Sequence, residues 1–436
     1  MPTLDANARA QLYTGWQPAL KPRVHGDGHF SCVQLSQFGE ASSKGVVGLA
    51  AGMPSVVLDG EATPSSDEGS TSDSTTGYSD SFAEGSDDGI TERTLQKTVY
   101  MTTRLVGEGV YGHVWAGIAS GKKTEQVAIK HIDRVFRCKR DAVRVMRELR
   151  LLRLLKHPRI VELKSVALPI GRTSFDDLHM VFDLFDTDLD KMIRSATRYD
   201  ESHVKWISYQ VLQGLEHMHS AGVIHRDLKP GNILVSSNCD IRIADLGMSR
   251  AVVEGDSLED RIGWSSYVAS RWYRAPELLI ADRRHNFSVA PYSSAIDVWA
   301  LGCIVAELWT RQPAFAGRTP QAQLDLINRG LESDASFEDA FGGKMYSGAG
   351  RGLLRQMLEM APSRRVNAAA ALGHPYFERL QVMRAAQLPK ACGAARLIQP
   401  SDFAFESDAV TTVKLREIMY AEAALYSKPS ASNIEQ

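Results

Sequence analysis

Three features early in this 436-residue chain could together handle a phosphate group. Residues 107–114 (GEGVYGHV) follow the pattern G-x-G-x-x-G-x-V, in which missing side chains let backbone N–H groups lie close to phosphates. Lys130 ends the run VAIK, and Glu148, 18 residues later, is a candidate anion to hold its ammonium. Taken alone, a glycine loop is equally a plain hairpin turn, and a lone Lys and Glu are usually surface charges.

Three further motifs follow in a fixed order. Residues 225–232 read HRDLKPGN, Asp245 opens the triplet DLG 13 residues after Asn232, and residues 275–277 read APE. Packing requirements do not generate these motifs in this order and at these spacings. Together with the glycine loop and VAIK they resemble the protein-kinase signature set, and the resemblance covers residues 98–377 almost without gaps.

The resemblance implies an α+β, bilobal protein kinase fold and transfer of the γ-phosphate of ATP to protein hydroxyls. Its parts would be a small strand-rich N-lobe (98–182), a hinge (183–185) and a large helical C-lobe (186–377). Phosphoryl transfer depends on positioning and on neutralising negative charge, which suits acids, lysines and Mg²⁺.

Each chemical residue has an implied role by the same resemblance. Asp227 would accept the proton of the attacking hydroxyl, and Lys229 would neutralise the γ-phosphate. Lys130, paired with Glu148, would orient the α and β phosphates. Asn232 and Asp245 would supply the oxygen ligands that Mg²⁺ requires.

The resemblance also implies which residues line the ATP site. Phe182 would be the gatekeeper, residues 183–185 would face adenine, and Asp188 would contact the ribose. The full expected set is Val106, Gly107, Glu108, Gly109, Gly112, Val114, Ala128, Lys130, Phe182, Asp183, Phe185 and Asp188. Leu246 replaces the usual Phe after the metal-binding Asp, and we expect it to keep an apolar contact near Leu152.

Residues 265–277 (SSYVASRWYRAPE) narrow the family further. They resemble the activation lip of mitogen-activated protein (MAP) kinases, T-x-Y-V-A-T-R-W-Y-R-A-P-E, with Ser265 in place of Thr, and residues 403–424 resemble the C-terminal extension of those kinases. The resemblance implies switching by phosphorylation of Ser265 and Tyr267 and a preference for Ser/Thr followed by Pro. Arginines are expected to receive the phosphates: Arg144, Arg147, Arg226, Arg250, Arg271 and Arg274. Arg365 should pair with Glu277 as a structural contact.

Two departures from the MAP kinase pattern keep alternatives open. Residues 326–352 are too few for the insert that the family carries there, and residues 378–386 lack the acidic cluster that docks basic partner motifs. A self-activating proline-directed kinase is the second hypothesis, and a pseudokinase scaffold is the third. The complete set of catalytic residues argues against the scaffold. Expected partners are protein substrates, with an upstream dual-specificity kinase and phosphatases.

The elements that must position these residues follow from hydrophobic patterning. Short β-branched runs predict strands at 100–106, 111–118 and 126–132, and apolar residues recurring every three positions predict a helix at 141–155. The chain then becomes mainly helical, with helices predicted at 201–220, 293–310, 321–329, 351–360 and 412–426. We expect the segment 378–436 to pack back on the kinase domain.

The N-terminal tail has a different composition. The chain has 50 basic and 52 acidic residues, but residues 45–92 hold ten acids and no Lys or Arg, which leaves 50 basic against 42 acidic residues elsewhere. Residues 62–89 are dominated by Ser, Thr, Gly, Asp and Glu, so residues 1–97 are predicted to be mostly disordered. This tail could cover the basic residues Arg134, Arg137, Lys139 and Arg140, although a passive linker is the preferred interpretation.

Cysteine content and hydrophobicity indicate the compartment. The five cysteines lack any C-x-x-C pair, which favours neither a disulfide framework nor a structural zinc site and suggests a reducing compartment. The most apolar stretch, residues 295–309, is interrupted by Asp297 and Glu307 and is too short to span a bilayer. We therefore expect a monomer in the cytoplasm or nucleus, with no membrane or nucleic-acid partner.

Overall fold

The computed structural model describes eleven stretches of the chain. They are residues 55–57, 99–109, 112–119, 126–167, 172, 174–196, 198–251, 271–284, 293–341, 347–387 and 395–426. Ser265, Tyr267 and most of the predicted disordered tail lie outside these residues.

The N-terminal lobe is built on one antiparallel sheet of six strands. Its spatial order is β1-β2-β3-β4-β6-β5. The strands are β1 Ser55–Val57, β2 Val99–Gly109, β3 Gly112–Ala119, β4 Gln126–Ile132, β5 Leu163–Ala167 and β6 Leu178–Asp183. The predicted strand 126–132 coincides with β4. Strand β1 was not predicted from the sequence; it lies within the predicted tail and pairs with the start of β2.

A single long helix, α1 (Lys139–Leu154), accompanies this sheet. Met146, Leu149 and Leu152 follow at three-residue spacing and are fully buried, so the helix presents one apolar stripe to the core. Asp141 lies in the first turn and Arg153 in the last, where their charges interact favourably with the helix dipole. The helix begins two residues earlier than the sequence pattern predicts.

Helices form most of the C-terminal lobe. They are α2 Leu189–Arg194, α3 Glu201–Ser220, α4 Pro276–Arg284, α5 Ala295–Thr310, α6 Pro320–Leu331, α7 Asp334–Phe341, α8 Gly348–Met357, α9 Ala368–Leu372 and α10 Glu378–Gln387. The predicted helix 201–220 coincides with α3, whose start is capped by the Asp200 carboxylate. Nearly every residue of α5 is buried, as expected for a helix that is apolar on all sides.

Two small sheets of the C-terminal lobe flank the chemical motifs. The first has the order β10-β9-β7, formed by Ile241–Ile243, Ile233–Val235 and Thr187–Asp188. The second pairs β11 (Arg250–Ala251) with β8 (Val223–Ile224). Residues 225–232 therefore lie between β8 and β9, and residues 244–249 lie between β10 and β11.

The C-terminal segment returns to the N-terminal lobe. Its last helix, α11 (Thr412–Tyr426), coincides with the predicted helix and packs against α1 and β5. The Tyr426 hydroxyl donates to the backbone oxygen of Leu149 at 2.8 Å. Among the described residues, no helix combines the length and apolar composition needed to span a membrane.

Candidate active site

The glycine loop is the tip of the β2–β3 hairpin. Gly109 pairs with Gly112 across the turn, and Gly107 pairs with Val114. Gly112 has φ +132°, and a Cβ added there would lie 1.9 Å from the backbone oxygen of His131 on β4. No other residue fits, because both the backbone conformation and the close approach to β4 require glycine. The glycine therefore brings β3 close to the strand that carries Lys130.

The structure joins Lys130 to Glu148. Lys130 Nζ donates to both carboxylate oxygens of Glu148, at 2.7 and 2.9 Å, and lies 3.9 Å from Asp245 Oδ1. Burial alone would lower the pKa of Lys130, but Glu148 and Asp245 outweigh it and raise that pKa, so the ammonium is charged. Burial raises the pKa of Glu148, which makes the charge of its carboxylate dependent on the adjacent Lys130.

The segment 225–232 organises three polar side chains into one cluster. Asp227 Oδ2 accepts hydrogen bonds from Lys229 Nζ at 2.6 Å and Asn232 Nδ2 at 3.3 Å. Asn232 Nδ2 also donates to the backbone oxygen of Asp227 at 2.8 Å. The side-chain nitrogen of Asn232 thus donates to Asp227, and the side-chain oxygen of Asn232, Oδ1, can serve as a metal ligand. A carboxylate held in this way can accept a proton at a fixed position.

Asp297 on α5 holds the start of the segment 225–232 by hydrogen bonds. Its side chain is 1% exposed and accepts hydrogen bonds from the backbone N–H groups of His225 and Arg226, both at 2.8 Å, and from His219 Nε2 at 2.9 Å. Burial alone would raise the pKa of Asp297, but these donors outweigh it and lower that pKa. Arg226 has φ 74°, a strained conformation that these contacts stabilise. Sequence reasoning missed this role, although an acid in an otherwise apolar helix must find donors when buried.

Asp245 lies beside the same cluster with φ 62°, also in the left-handed region. Burial would raise the pKa of its carboxyl, but the cations Lys130 and Lys229 outweigh that effect, so the pKa lies below its usual range. The next residue, Leu246, is fully buried in the main core with Leu152, and the turn Leu246–Met248 packs against α1. Leucine thus provides the apolar contact expected from the sequence.

The residues expected to face adenine lie on β4 and β6. Ala128 pairs with Phe182 and Val127 with Asp183, and the Phe182 side chain reaches the main core. Asp183 Oδ1 contacts Lys164 Nζ at 2.6 Å.

Two further residues of the expected set follow β6. Phe185 is partly buried just after the strand. Asp188 caps α2 by accepting the backbone N–H of Lys191 at 2.9 Å, so the carboxylate assigned to a ribose contact also has a structural partner.

Two of the predicted phosphate-binding arginines are bound to a carboxylate of the C-terminal segment. Arg147 Nε donates to Glu406 Oε1 at 2.6 Å, and Arg250 contacts the other oxygen of Glu406. Arg144, one turn before Arg147, contacts the sulfur of Met248. Sequence reasoning did not find Glu406, because a single acid 259 residues from its partner gives no local signal.

The remaining predicted arginines lie at the start of the segment that ends in APE. Arg271 Nη1 donates to the backbone oxygen of Arg318 at 2.9 Å, and the backbone N–H of Arg274 donates to the oxygen of Arg271 at 3.1 Å. Tyr273 donates its hydroxyl proton to Glu307 Oε2 at 2.6 Å, which ties this turn to α5.

The predicted pair between Arg365 and Glu277 is present. Two parallel contacts of 2.8 and 3.0 Å join the guanidinium to the carboxylate, and both side chains are buried. Arg365 Nη1 also donates to the backbone oxygen of Ala295 at 2.9 Å. Losing one partner of such a pair costs about 3 to 5 kcal/mol, so the pair secures the end of the lip segment.

The outer side of α1 is held by the C-terminal segment. Glu422 on α11 accepts from Arg150 at 2.8 Å and from Arg153 at 2.5 Å, and Glu422 itself is 3% exposed. Arg150 Nη1 also donates to the backbone oxygen of Asp402 at 2.7 Å. These contacts lie on the same helix as Glu148, the partner of Lys130.

Comparison with known proteins identifies the family. A protein kinase domain matches residues 100–377. Mitogen-activated protein kinase 6 of Oryza sativa subsp. japonica is 37% identical over 347 residues, which are 74% of this chain and 86% of that protein. Mitogen-activated protein kinase 7 of Arabidopsis thaliana is 38% identical over 306 residues, 65% of this chain and 80% of that protein.

The chain belongs to the mitogen-activated protein kinase family. The predicted bilobal fold and the prediction of an ATP-dependent serine/threonine protein kinase are thereby confirmed. Membership of the MAP kinase family also explains the order of the motifs along the chain.

Proposed function

We propose that this kinase transfers the γ-phosphate of ATP to Ser or Thr followed by Pro, with Asp227 as the proton acceptor. The observation that carries the proposal is the hydrogen-bonded cluster of Asp227, Lys229 and Asn232 beside the Lys130–Glu148 pair. A base of this kind contributes about 10²- to 10⁴-fold to the rate. Lys229 contacts Asp227 Oδ2, the oxygen that Asn232 also contacts, and would supply positive charge where the γ-phosphate would lie.

Asn232 and Asp245 would hold Mg²⁺. Their side chains offer an amide oxygen and a carboxylate, and the lowered pKa of Asp245 keeps that carboxylate ionised at neutral pH. This donor set fits a hard cation that prefers oxygen ligands. Bound Mg²⁺ would neutralise charge on the phosphate oxygens. Lys130 would orient the α and β phosphates, because Glu148 fixes its ammonium with two hydrogen bonds.

The nucleotide would lie between the hairpin tip and the hinge. Its proposed contacts are Val106, Gly107, Glu108, Gly109, Gly112, Val114, Ala128, Phe182, Asp183, Phe185 and Asp188. Val114 pairs with Lys130 and Ala128 with Phe182, so adjacent strands bring these residues together.

Regulation would act on the arginines that contact Glu406. A phosphate on Ser265 carries about −1.5 to −2 charge and three acceptor oxygens. It would compete with the single charge of Glu406 for Arg147 and Arg250, with Arg144 and Arg226 as further donors. Phosphate on Tyr267 would bind Arg271 and Arg274. Phosphorylation would thereby replace a tether to the C-terminal segment by a tether to the lip.

Substrate preference would arise near Arg271. A residue other than proline after the acceptor would leave a backbone N–H without a partner there, which is costly in a desolvated site. The kinase would act as a monomer in intracellular signalling, in the cytoplasm or nucleus. An upstream dual-specificity kinase and phosphatases would set its state, unless it phosphorylates its own lip.

The test uses the full chain expressed alone in bacteria, with Asp227→Ala as the matched control. We expect faster phosphorylation of a Ser-Pro peptide than of the Ser-Ala peptide of otherwise identical sequence, and none by the control. Equal rates on the two peptides would overturn the proline preference. Mass spectrometry of the lip then distinguishes the activators: phosphate on Ser265 or Tyr267 in the wild type only indicates self-activation, and an unmodified, inactive wild type indicates an upstream kinase.

A further inference from the structure

A cluster of imidazoles and carboxylates lies outside the proposed catalytic machinery, on the N-terminal sheet. His131 directly follows Lys130 on β4. Successive side chains of a strand point to opposite faces, so His131 lies on the face of the sheet opposite to Lys130 and Glu148. The cluster therefore belongs to a different surface from the proposed ATP site, and nothing in the proposed function uses it.

Strand register places three histidines in one row on that face. His113 on β3 pairs with His131, and His131 pairs with His179 on β6. The rings of His131 and His179 stack at 4.1 Å between centroids and 4° between planes. This stacking fixes the orientation of the His131 imidazole.

Two carboxylates converge on the free edge of that ring. His131 Nε2 lies 3.2 Å from Asp133 Oδ1 and 3.7 Å from Asp177 Oδ2. All three ligand atoms lie within 4.8 Å of one another. His131 Nε2 is shielded from solvent and lies beside two carboxylate oxygens, but it forms a hydrogen bond with neither of them.

These separations match a tetrahedral metal site. Metal–ligand bonds of about 2.0 to 2.2 Å at tetrahedral angles place ligand atoms about 3.3 to 3.6 Å apart. Asp177 is also oriented, because its other oxygen accepts the backbone N–H of Arg134 at 2.9 Å. Three protein ligands with water in the remaining position are a common arrangement for Zn²⁺.

We propose that His131, Asp133 and Asp177 bind a divalent transition-metal ion of the Zn²⁺ type. An imidazole with carboxylates suits Zn²⁺, whereas Mg²⁺ and Ca²⁺ prefer oxygen ligands alone. The exposed carboxylates of Asp133 and Asp177, at 43% and 51%, give the ion an entry path. The bound ion would join the end of β4 to the segment before β6.

The experiment measures Zn²⁺ binding to the full chain by equilibrium dialysis in excess Mg²⁺. Two variants remove one ligand each, His131→Gln and Asp177→Asn. Because the Asp177 side chain is 51% exposed, unfolding would not explain a loss of binding in Asp177→Asn. The control is His203→Gln, because His203 Nδ1 contacts only one carboxylate, Asp200, at 2.8 Å. We expect the wild type and the control to bind one more equivalent than the two variants, or to bind it at least about 10-fold more tightly.

Substitution of Co²⁺ for Zn²⁺ provides a second readout that does not depend on kinase activity. A tetrahedral site with one or two imidazoles gives visible d–d absorption without the near-ultraviolet band of thiolate ligands. This absorption should be present in the wild type and in His203→Gln and lost in His131→Gln. Wild-type stoichiometry and affinity in both ligand variants, or no Zn²⁺ binding by the wild type, would overturn the proposal.

Discussion

The two sides of helix α1 differ in how they are held. On the inner side, Glu148 accepts a hydrogen bond from Lys130, which is 18 residues away in the N-terminal lobe. On the outer side, Arg147 and Arg150 donate to acids of the C-terminal segment that are 259 and 272 residues away. The inner contact belongs to the proposed catalytic residues, and the outer contacts hold the same helix. The C-terminal segment therefore helps to position the proposed Lys130–Glu148 pair.

This difference defines the central claim. We propose that, when the lip carries no phosphate, Glu406 and Glu422 supply the negative charge that holds α1 through Arg147 and Arg150. Loss of the contacts on either side of α1 should therefore reduce the rate of phosphoryl transfer. The two losses should differ in size and in their effect on the free energy of unfolding.

Loss of the inner contact should have the largest effect. In Lys130→Met the ammonium that would orient the phosphates is absent, and burial raises the pKa of Glu148 with no lysine beside it to oppose that effect. We expect the rate of phosphoryl transfer to fall about 10²- to 10³-fold. The control is Lys156→Met, since Lys156 and its partner Glu162 are both largely exposed. Similar rates for the two variants would contradict the assignment of Lys130.

Loss of the main outer contact should reduce stability. Glu422→Gln removes a buried charge that two arginines share, and we expect a decrease of about 2 to 3 kcal/mol in the free energy of unfolding, because Arg153 is partly solvated. Glu417→Gln on the same helix is the matched control, since its pair with Lys414 is exposed and should change stability by less than about 0.5 kcal/mol. Urea titrations compare the two variants, and equal unfolding midpoints would contradict a stabilising role for the contacts of Glu422.

Loss of Glu406 should have a smaller effect on stability and a specific effect on regulation. In Glu406→Gln the carboxylate that joins Arg147 and Arg250 is gone, so basal transfer should fall about 3- to 5-fold. Glu406 then no longer competes with the lip phosphate for Arg147 and Arg250, so the proposed activation by lip phosphorylation should rise by a similar factor. Steady-state rates of phosphorylated and unphosphorylated enzyme measure both changes. An unchanged activation ratio would show that Glu406 and the phosphate do not compete.

Removal of the acidic tail should have the smallest effect. Of the basic residues it could cover, Arg137 pairs with Asp141, and Lys139 donates to backbone oxygens of Ser407 and Asp408. We expect deletion of the acidic segment 62–89, which leaves strand β1 (Ser55–Val57) in place, to keep activity within about 2-fold at low and at high salt. Activation confined to low salt would instead indicate electrostatic inhibition by the tail.

The sequence predicted the contact of Glu148, on the inner side of α1, with Lys130, but it did not predict the contacts on the outer side. Asp227, Asn232 and Asp245 lie in short motifs, so their types and spacing alone indicated chemistry, and regular apolar patterns predicted α3 and β4 with their observed bounds. Asp297 could also have been found, because a buried acid in an apolar helix requires donors.

The outer contacts could not be predicted in the same way. Arg150 and Glu422 look like ordinary surface charges in the sequence, and only the return of α11 across the N-terminal lobe brings them together. The His131 cluster was missed for a similar reason, because the row of histidines exists only once strand register is known.

The most direct test of the central claim is the rate of phosphoryl transfer to a Ser-Pro peptide by Glu406→Gln/Glu422→Gln. Wild type, double variant and Glu417→Gln would be compared with lips shown by mass spectrometry to carry no phosphate, at a temperature where all three are folded. We predict that the double variant loses about tenfold or more in rate, while Glu417→Gln matches the wild type. Equal rates for all three proteins would contradict the claim that the C-terminal segment holds α1 in its catalytic position.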